Sequence, residues 1–198
     1  MIADKDRSYY IGASDTACIM RSWETKTFEN WYLTKCGFKK QTYESVAMKA
    51  GTAFEHRILE SLDIAEMELD RQLILGRLRV NLDGSTTDTI YEIKTYKLEN
   101  GFKVPKSYKD QVQVQMYATG IHTAYIVAYG LEDADYRNFY RDIDPDRLTM
   151  HPIEYDTEFI KRYLKRFWYV SNCLDLGYYP TEEGLEEWRQ KADSLMPL

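Results

Sequence analysis

Cysteine, proline and glycine are all scarce in this 198-residue chain, at three, five and ten residues. Cys18, Cys36 and Cys173 are odd in number, far apart, and form no Cys-x-x-Cys pair or Cys/His cluster. That excludes a disulfide framework and a structural zinc or iron–sulfur site, and leaves buried free thiols. With so few prolines and glycines, no internal repeat and no low-complexity tract, there is no interdomain linker, and a single domain over residues 1–198 is expected. No apolar run approaches the roughly 20 residues of a bilayer span, and mean hydropathy is −0.55, so no part of the chain is expected in a membrane. The segment Met1–Asp6 is polar and lacks the apolar core of a signal peptide, which points to the cytosol.

An excess of positive charge is also missing. The chain carries 26 Lys and Arg against 32 Asp and Glu, a net −6, which taken alone argues against a nucleic-acid partner. The distribution changes that inference. Residues 131–158 hold nine acids against Arg137, Arg141 and Arg147, so this stretch accounts for the whole excess. Elsewhere, Lys94, Lys97, Lys103, Lys106 and Lys109 face only Glu99, a run that suits a phosphate backbone. A solvated loop explains the same run equally well.

Periodicity supplies the elements. Ser14 reads as the N-cap of a short helix over 15–20, and a second helix starts at Thr27 and stops at Gly37. Val46, Ala50, Ala53, Phe54, Ile58, Leu62 and Ala65 form the apolar stripe of a long helix from Tyr43 to Glu68. Strands are expected over 73–75, 78–82 and 90–94, punctuated by Gly76 and by the loop 84–88. A loose capping box, Ser107-x-x-Asp110, opens a helix that ends at Gly120, and 125–129 reads as a buried strand. Residues 138–140 and 153–155 are expected as edge strands, because Pro152 does not suit a central one. Two amphipathic helices follow, marked by Phe159 to Leu174 and by Leu185, Trp188 and Leu195. The architecture predicted is α/β, a small mixed sheet flanked by helices.

The chemistry collects on that sheet. Period two puts Leu78, Val80 and Leu82 on one face of their strand and Arg79, Asn81 and Asp83 on the other, with Asp83 at the strand end. Ile90, Glu92 and Lys94 share a face of the next strand. A tight loop pairs the two strands as a hairpin and brings Asp83 against Glu92, two hard oxygen ligands for Mg²⁺ or Mn²⁺, with the Ile93 carbonyl as a third. Lys94 stands where it can orient water and offset charge on a scissile phosphate. On the long helix, Glu55 lies one turn from Gly51 and borders the apolar stripe, where a carboxylate needs a partner. Each piece has a plain structural explanation: Asp-Gly is a common turn pair, Glu-x-Lys an ordinary salt bridge, and Arg57 a ready partner for Glu55.

In this order the residues resemble the PD-(D/E)XK nuclease superfamily and, within it, the lambda-type phage exonucleases, the YqaJ-like viral recombinase family. Gly51 to Glu55 is similar to the family's Gly-x-x-x-Glu helix, Asp83-Gly84 to its Asp-Gly strand end, and Glu92-Ile93-Lys94 to its Glu-x-Lys. Gln111-Val112-Gln113-Val114-Gln115-Met116-Tyr117 resembles the family's Gln-rich helix, a Gln-Val-Gln run followed by an aromatic residue, in which Gln111 and Gln113 would hold the site or the DNA backbone. Arg7 and Ser14, seven residues apart, match a segment that binds the DNA 5′-phosphate, an anion site that a guanidinium and helix-terminal groups can form. Leu82 replaces the superfamily's proline, a position without a metal-binding atom.

The resemblance implies a PD-(D/E)XK core and a Mg²⁺-dependent 5′-to-3′ exonuclease of linear double-stranded DNA, with Mn²⁺ able to substitute. Asp83, Glu92, Ile93 and Glu55 would hold the metal; Lys94, Glu92, Asp83, Glu55, Gln111 and Gln113 make the catalytic set. It also implies 5′-phosphorylated DNA ends as substrate, a single-strand-annealing protein as partner, a ring-shaped trimer, phage-type recombination, and the cytoplasm of a bacterial host. Two alternatives stay open: an endonuclease of the same superfamily, and a non-catalytic DNA-end-binding module.

Overall fold

The computed structural model describes residues 9–39 and 45–195. Its elements run β1 (Ile11–Gly12), α1 (Thr16–Met20), α2 (Lys26–Lys35), α3 (Val46–Ser61), β2 (Glu68–Leu75), β3 (Leu78–Ser85), β4 (Thr89–Lys97), α4 (Lys106–Thr119), β5 (Thr123–Leu131), β6 (Leu148–Glu154), α5 (Thr157–Leu176) and α6 (Glu182–Leu195). The strands form one mixed sheet in the order β1-β3-β4-β5-β6, with β2 also paired to β3. The α/β expectation holds. β4 and β5 are parallel, so the chain must cross back between them, and α4 is that crossover. Pro152 lies inside β6, opposite Tyr125, where an edge strand tolerates a missing N–H.

Alternation along the strands divides the core in two. Leu78, Val80, Leu82 and Ile90 pack with Val112, Val114 and Met116 of α4 and with Phe159, Tyr163, Phe167 and Val170 of α5. On the other face, Tyr91, Ile93, Val127, Tyr129 and Leu131 meet Ala50, Phe54, Ile58 and Leu59 of α3. The sheet is thus covered on both sides, with α4 and α3 facing each other across β3 and β4.

Several local expectations are corrected. α3 starts after Ser45, whose hydroxyl accepts from the Met48 N–H, and it stops at Ser61, because Asp63 and Glu66 take positive φ and leave the helix. Val46 and Ala53 are exposed, so the buried stripe is narrower than the apolar pattern suggests. Ser14 sits inside a 3-10 turn (Ala13–Asp15) and caps nothing; Asp15 accepts the Gly12 N–H at 2.8 Å instead. α4 begins at Lys106, before the supposed capping box, and Asp110 accepts from the Lys106 ammonium at 2.6 Å. Residues 138–140 form no strand. Of the three thiols only Cys173 is fully buried.

Candidate active site

β3 offers two edges, and β2 pairs along one of them from Ser85 to Leu78 except at Asp83, opposite Asp70. On the other edge β1 pairs with Leu78 and Arg79, and β4 with Gly84 and Ser85, so among the described residues no strand lies beside the stretch 80–83. The hairpin therefore splits where Asp83 and Glu92 would have met. Asp83 lies inside β3, two residues short of its end, and its side chain replaces the lost ladder bond: Oδ2 accepts the Ile93 N–H at 2.8 Å. Within a strand, the N–H and C=O of one residue point to the same edge, so the Ile93 carbonyl opens onto the same gap.

Glu92 projects to the α4 side and is 2% exposed. Its Oε1 accepts from Gln111 Nε2 at 2.6 Å and from the Lys94 ammonium, and its Oε2 accepts from Gln115 Nε2 at 2.5 Å. The Lys94 nitrogen also lies 4.9 Å from the centre of the Tyr108 ring. Burial disfavours the Lys94 charge, but the Glu92 carboxylate and, further off, Asp83 outweigh it and hold the ammonium above its ordinary pKa.

From the other side α3 delivers Glu55. Gly51 permits the approach: a β-carbon there would lie 3.2 Å from the Thr95 hydroxyl of β4. One turn on, Glu55 is pushed above the usual carboxylate range by burial and by the Glu92 charge. Asp83 is pushed well above it by burial, then by Glu92 and Glu55. Three carboxylates thus crowd a partly dry site with one ammonium among them. Arg57 does not neutralise Glu55; it donates to the carbonyls of Phe139 and Arg141. Beyond Glu55 lie His56 and Asp70, whose Nε2 and Oδ2 are 3.1 Å apart, and ligand atoms of all three fall within 4.8 Å of one another.

Hydrogen bonds thus tie Asp83 to Ile93 and Glu92 to Lys94 and Gln111, and Glu55 lies within electrostatic reach of Glu92 and Asp83; among the described residues, however, the expected ligands Glu55, Asp83 and Glu92 do not all lie within 4.8 Å of one another, as Glu55, His56 and Asp70 do. Gln113 stands apart: Nε2 donates to the Glu154 carbonyl at 2.6 Å and Oε1 accepts the Asp156 N–H at 2.7 Å, so it ties α4 to the β6–α5 junction. Ser14 is exposed beside Asp15, which binds Lys35 at 2.9 Å, and Arg7 lies outside the described residues. In the lysine run, Lys97 pairs with Glu99 and Lys106 with Asp110. Sequence reasoning quoted Gln115 in the Gln-rich run without giving it a role, and missed Tyr108, His56 and Asp70. A glutamine inside an otherwise buried helical turn was the available signal for Gln115; Asp70, opposite Asp83 between the paired residues Leu69 and Arg71, could be found only from strand register.

No family model matches the chain, and no curated protein matches it. Solved structures do. An alkaline exonuclease, LHK-Exo, from Laribacter hongkongensis has a TM-score of 0.69 at 19% identity, covering 96% of each chain. The same enzyme in complex with dAMP gives 0.67 over the same shares of the two chains. A phage related exonuclease from Haemophilus somnus 129PT gives 0.63 at 11% identity, over 92% of this chain and 96% of that one. At such identities the likeness establishes the fold, which is the one implied by the resemblance to the lambda-type phage exonucleases: this chain folds as these exonucleases do.

Proposed function

We propose that the protein is a divalent-metal-dependent deoxyribonuclease, acting as a 5′-to-3′ exonuclease on linear double-stranded DNA. The observation that carries this reading is that the charges of Glu55, Asp83 and Glu92 act on one another beside Lys94, where the β3–β4 ladder is missing. The donor set fits a hard cation such as Mg²⁺, with Mn²⁺ an alternative: the donors are carboxylate oxygens and the outward-facing Ile93 carbonyl, and the charge they concentrate lacks sufficient counter-charge. When bound, such an ion acts as a Lewis acid on the phosphodiester and eases deprotonation of nearby water.

The chain's own residues do the remaining work. Asp83 is aimed by the Ile93 N–H, and Glu92 by Gln111 and Gln115. Lys94, held charged, orients the attacking water and offsets negative charge growing on the phosphoryl oxygens. The exonuclease names of the structural neighbours support this choice over a binding module, and the shared fold supports DNA as substrate. The 5′-to-3′ direction and recognition of a 5′-phosphate rest on the spacing of Arg7 and Ser14. By resemblance, the setting is phage-type recombination in a bacterial cytoplasm, beside a single-strand-annealing protein, with a ring-shaped trimer as the assembly.

The test is Mg²⁺-dependent digestion of linear 5′-phosphorylated duplex beside a covalently closed circle, with Lys94→Ala as control. Loss of the linear DNA alone, abolished in Lys94→Ala, is expected. Cutting of the circle would make the protein an endonuclease, and equal turnover by Lys94→Ala would remove the lysine from the mechanism.

A further inference from the structure

We propose that Gln115 is a positioning residue that sets the distance between the two cation-holding strands. The proposal rests on the metal-nuclease reading and gives a role to a residue of the Gln-rich run that the sequence left without one. Gln115 is fully buried on α4, with Val114 and Met116 buried on either side. Its two N–H groups go to different strands. The amide nitrogen donates to the Asn81 carbonyl on β3 at 3.2 Å and to Glu92 Oε2 on β4 at 2.5 Å. Both partners only accept, so the amide has one orientation, NH₂ toward the gap.

That orientation has a cost. Oε1 of Gln115 is buried with no hydrogen-bond partner among the described residues. A buried carbonyl left unpaired is destabilising, and methionine or leucine would fill the same space without the penalty. What the glutamine supplies instead is a strut across the stretch where the β3–β4 ladder is missing. It links backbone two residues from Asp83 to the carboxylate of Glu92. The other donors to Glu92 reach Oε1, and one of them, Lys94, is assigned to water and phosphate in the mechanism above. Gln115 is thus the donor that fixes Oε2, while Gln111 and Lys94 hold Oε1.

The experiment is calorimetric Mn²⁺ binding to the full chain, wild type against Gln115→Met, beside thermal melting and binding of linear duplex in EDTA. Partners that orient a metal ligand typically account for about 10–100-fold in affinity. A rise of that order in the Mn²⁺ dissociation constant, with DNA binding in EDTA unchanged, is expected. A glutamine with a merely structural role would lower the melting temperature and leave the Mn²⁺ constant of the folded protein alone, and that result overturns the proposal. Wild type that binds no Mn²⁺ sinks the metal reading itself, so the two failures are distinguishable. Should Gln115→Met not fold, ¹⁵N NMR of the wild type decides: side-chain amide protons of Gln115 that resist exchange and shift on Mg²⁺ addition support the strut. Rapid exchange and no shift overturn it.

Discussion

Asp83 accepts one backbone hydrogen bond and faces two further carboxylates where burial already disfavours charge. An asparagine there keeps an oxygen for the Ile93 N–H and removes the repulsion. Asp83→Asn is therefore expected to abolish cleavage while raising the metal-free melting temperature at pH 8 by about 2–4 °C, the shift of roughly 1 kcal/mol in a chain of this size. A melting temperature that falls instead would show that the charge itself is stabilising. Glu92 and Lys94 were legible in the sequence because period two is strict on a strand, and Asp83 because Asp-Gly marked the hairpin. Gln113 was grouped with Gln111 because helical spacing alone does not tell which of the three glutamines face the sheet. The angular position of α4 decides that Gln111 and Gln115 reach Glu92 while Gln113 reaches the Glu154 carbonyl.

Among the elements, α3 is the one whose placement the site depends on most directly. Its contact with β4 at Gly51 and Thr95 sets where Glu55 ends up. Alanine at a helical glycine gains about 0.5–1 kcal/mol in propensity, yet its β-carbon must push Thr95 away. Gly51→Ala should leave the melting temperature within a few degrees of wild type and lower cleavage about tenfold or more, since small misplacements of reacting groups are expensive. Paired measurement of melting and initial rate checks this; a parallel loss of both would mean that the helix has unpacked. The existence of α3 was readable from its apolar stripe, but its C-terminal end was not. The stripe continues through Leu62 and Ala65 in the sequence alone; Asp63 and Glu66 turn out of the helix at φ of 50° and 58°. Such left-handed residues carry little sequence signal when they are acidic rather than glycine.

For the whole molecule, burial and charge set opposite pH responses. Glu55 and Asp83 are held above the usual carboxylate range, so the folded chain binds their protons more tightly than the unfolded chain. Their contribution to stability is complete below about pH 4 and is lost as pH rises through their raised values. Asp135 runs the other way. Burial works against its charge, but the Glu132 N–H and Arg147 outweigh it and hold the group below its ordinary value, so its contribution is present above about pH 4 and lost as pH falls. With EDTA, the melting temperature should decline from about pH 5 toward pH 8, and Mg²⁺ should restore it most at the alkaline end. Melting curves at pH 8 that superpose with and without Mg²⁺ would contradict a cation at these carboxylates.

The crossover between β4 and β5 has a consequence in folding time. Glu92 and Lys94 lie on β4, the donors that orient Glu92 lie on α4, and β5 closes the unit by parallel pairing from Thr89↔Thr123 to Lys97↔Leu131. A parallel pair cannot zip from a tight turn; it forms only after the intervening helix has traversed the sheet, and such non-local pairing is slow. During refolding, the hairpin that carries Asp83 and Glu92 can therefore exist before the glutamines that aim Glu92 have arrived. The orientation of Glu92 by Gln111 and Gln115 is thus acquired late, with the docking of α4, and a chain synthesised only as far as β4 lacks both glutamines.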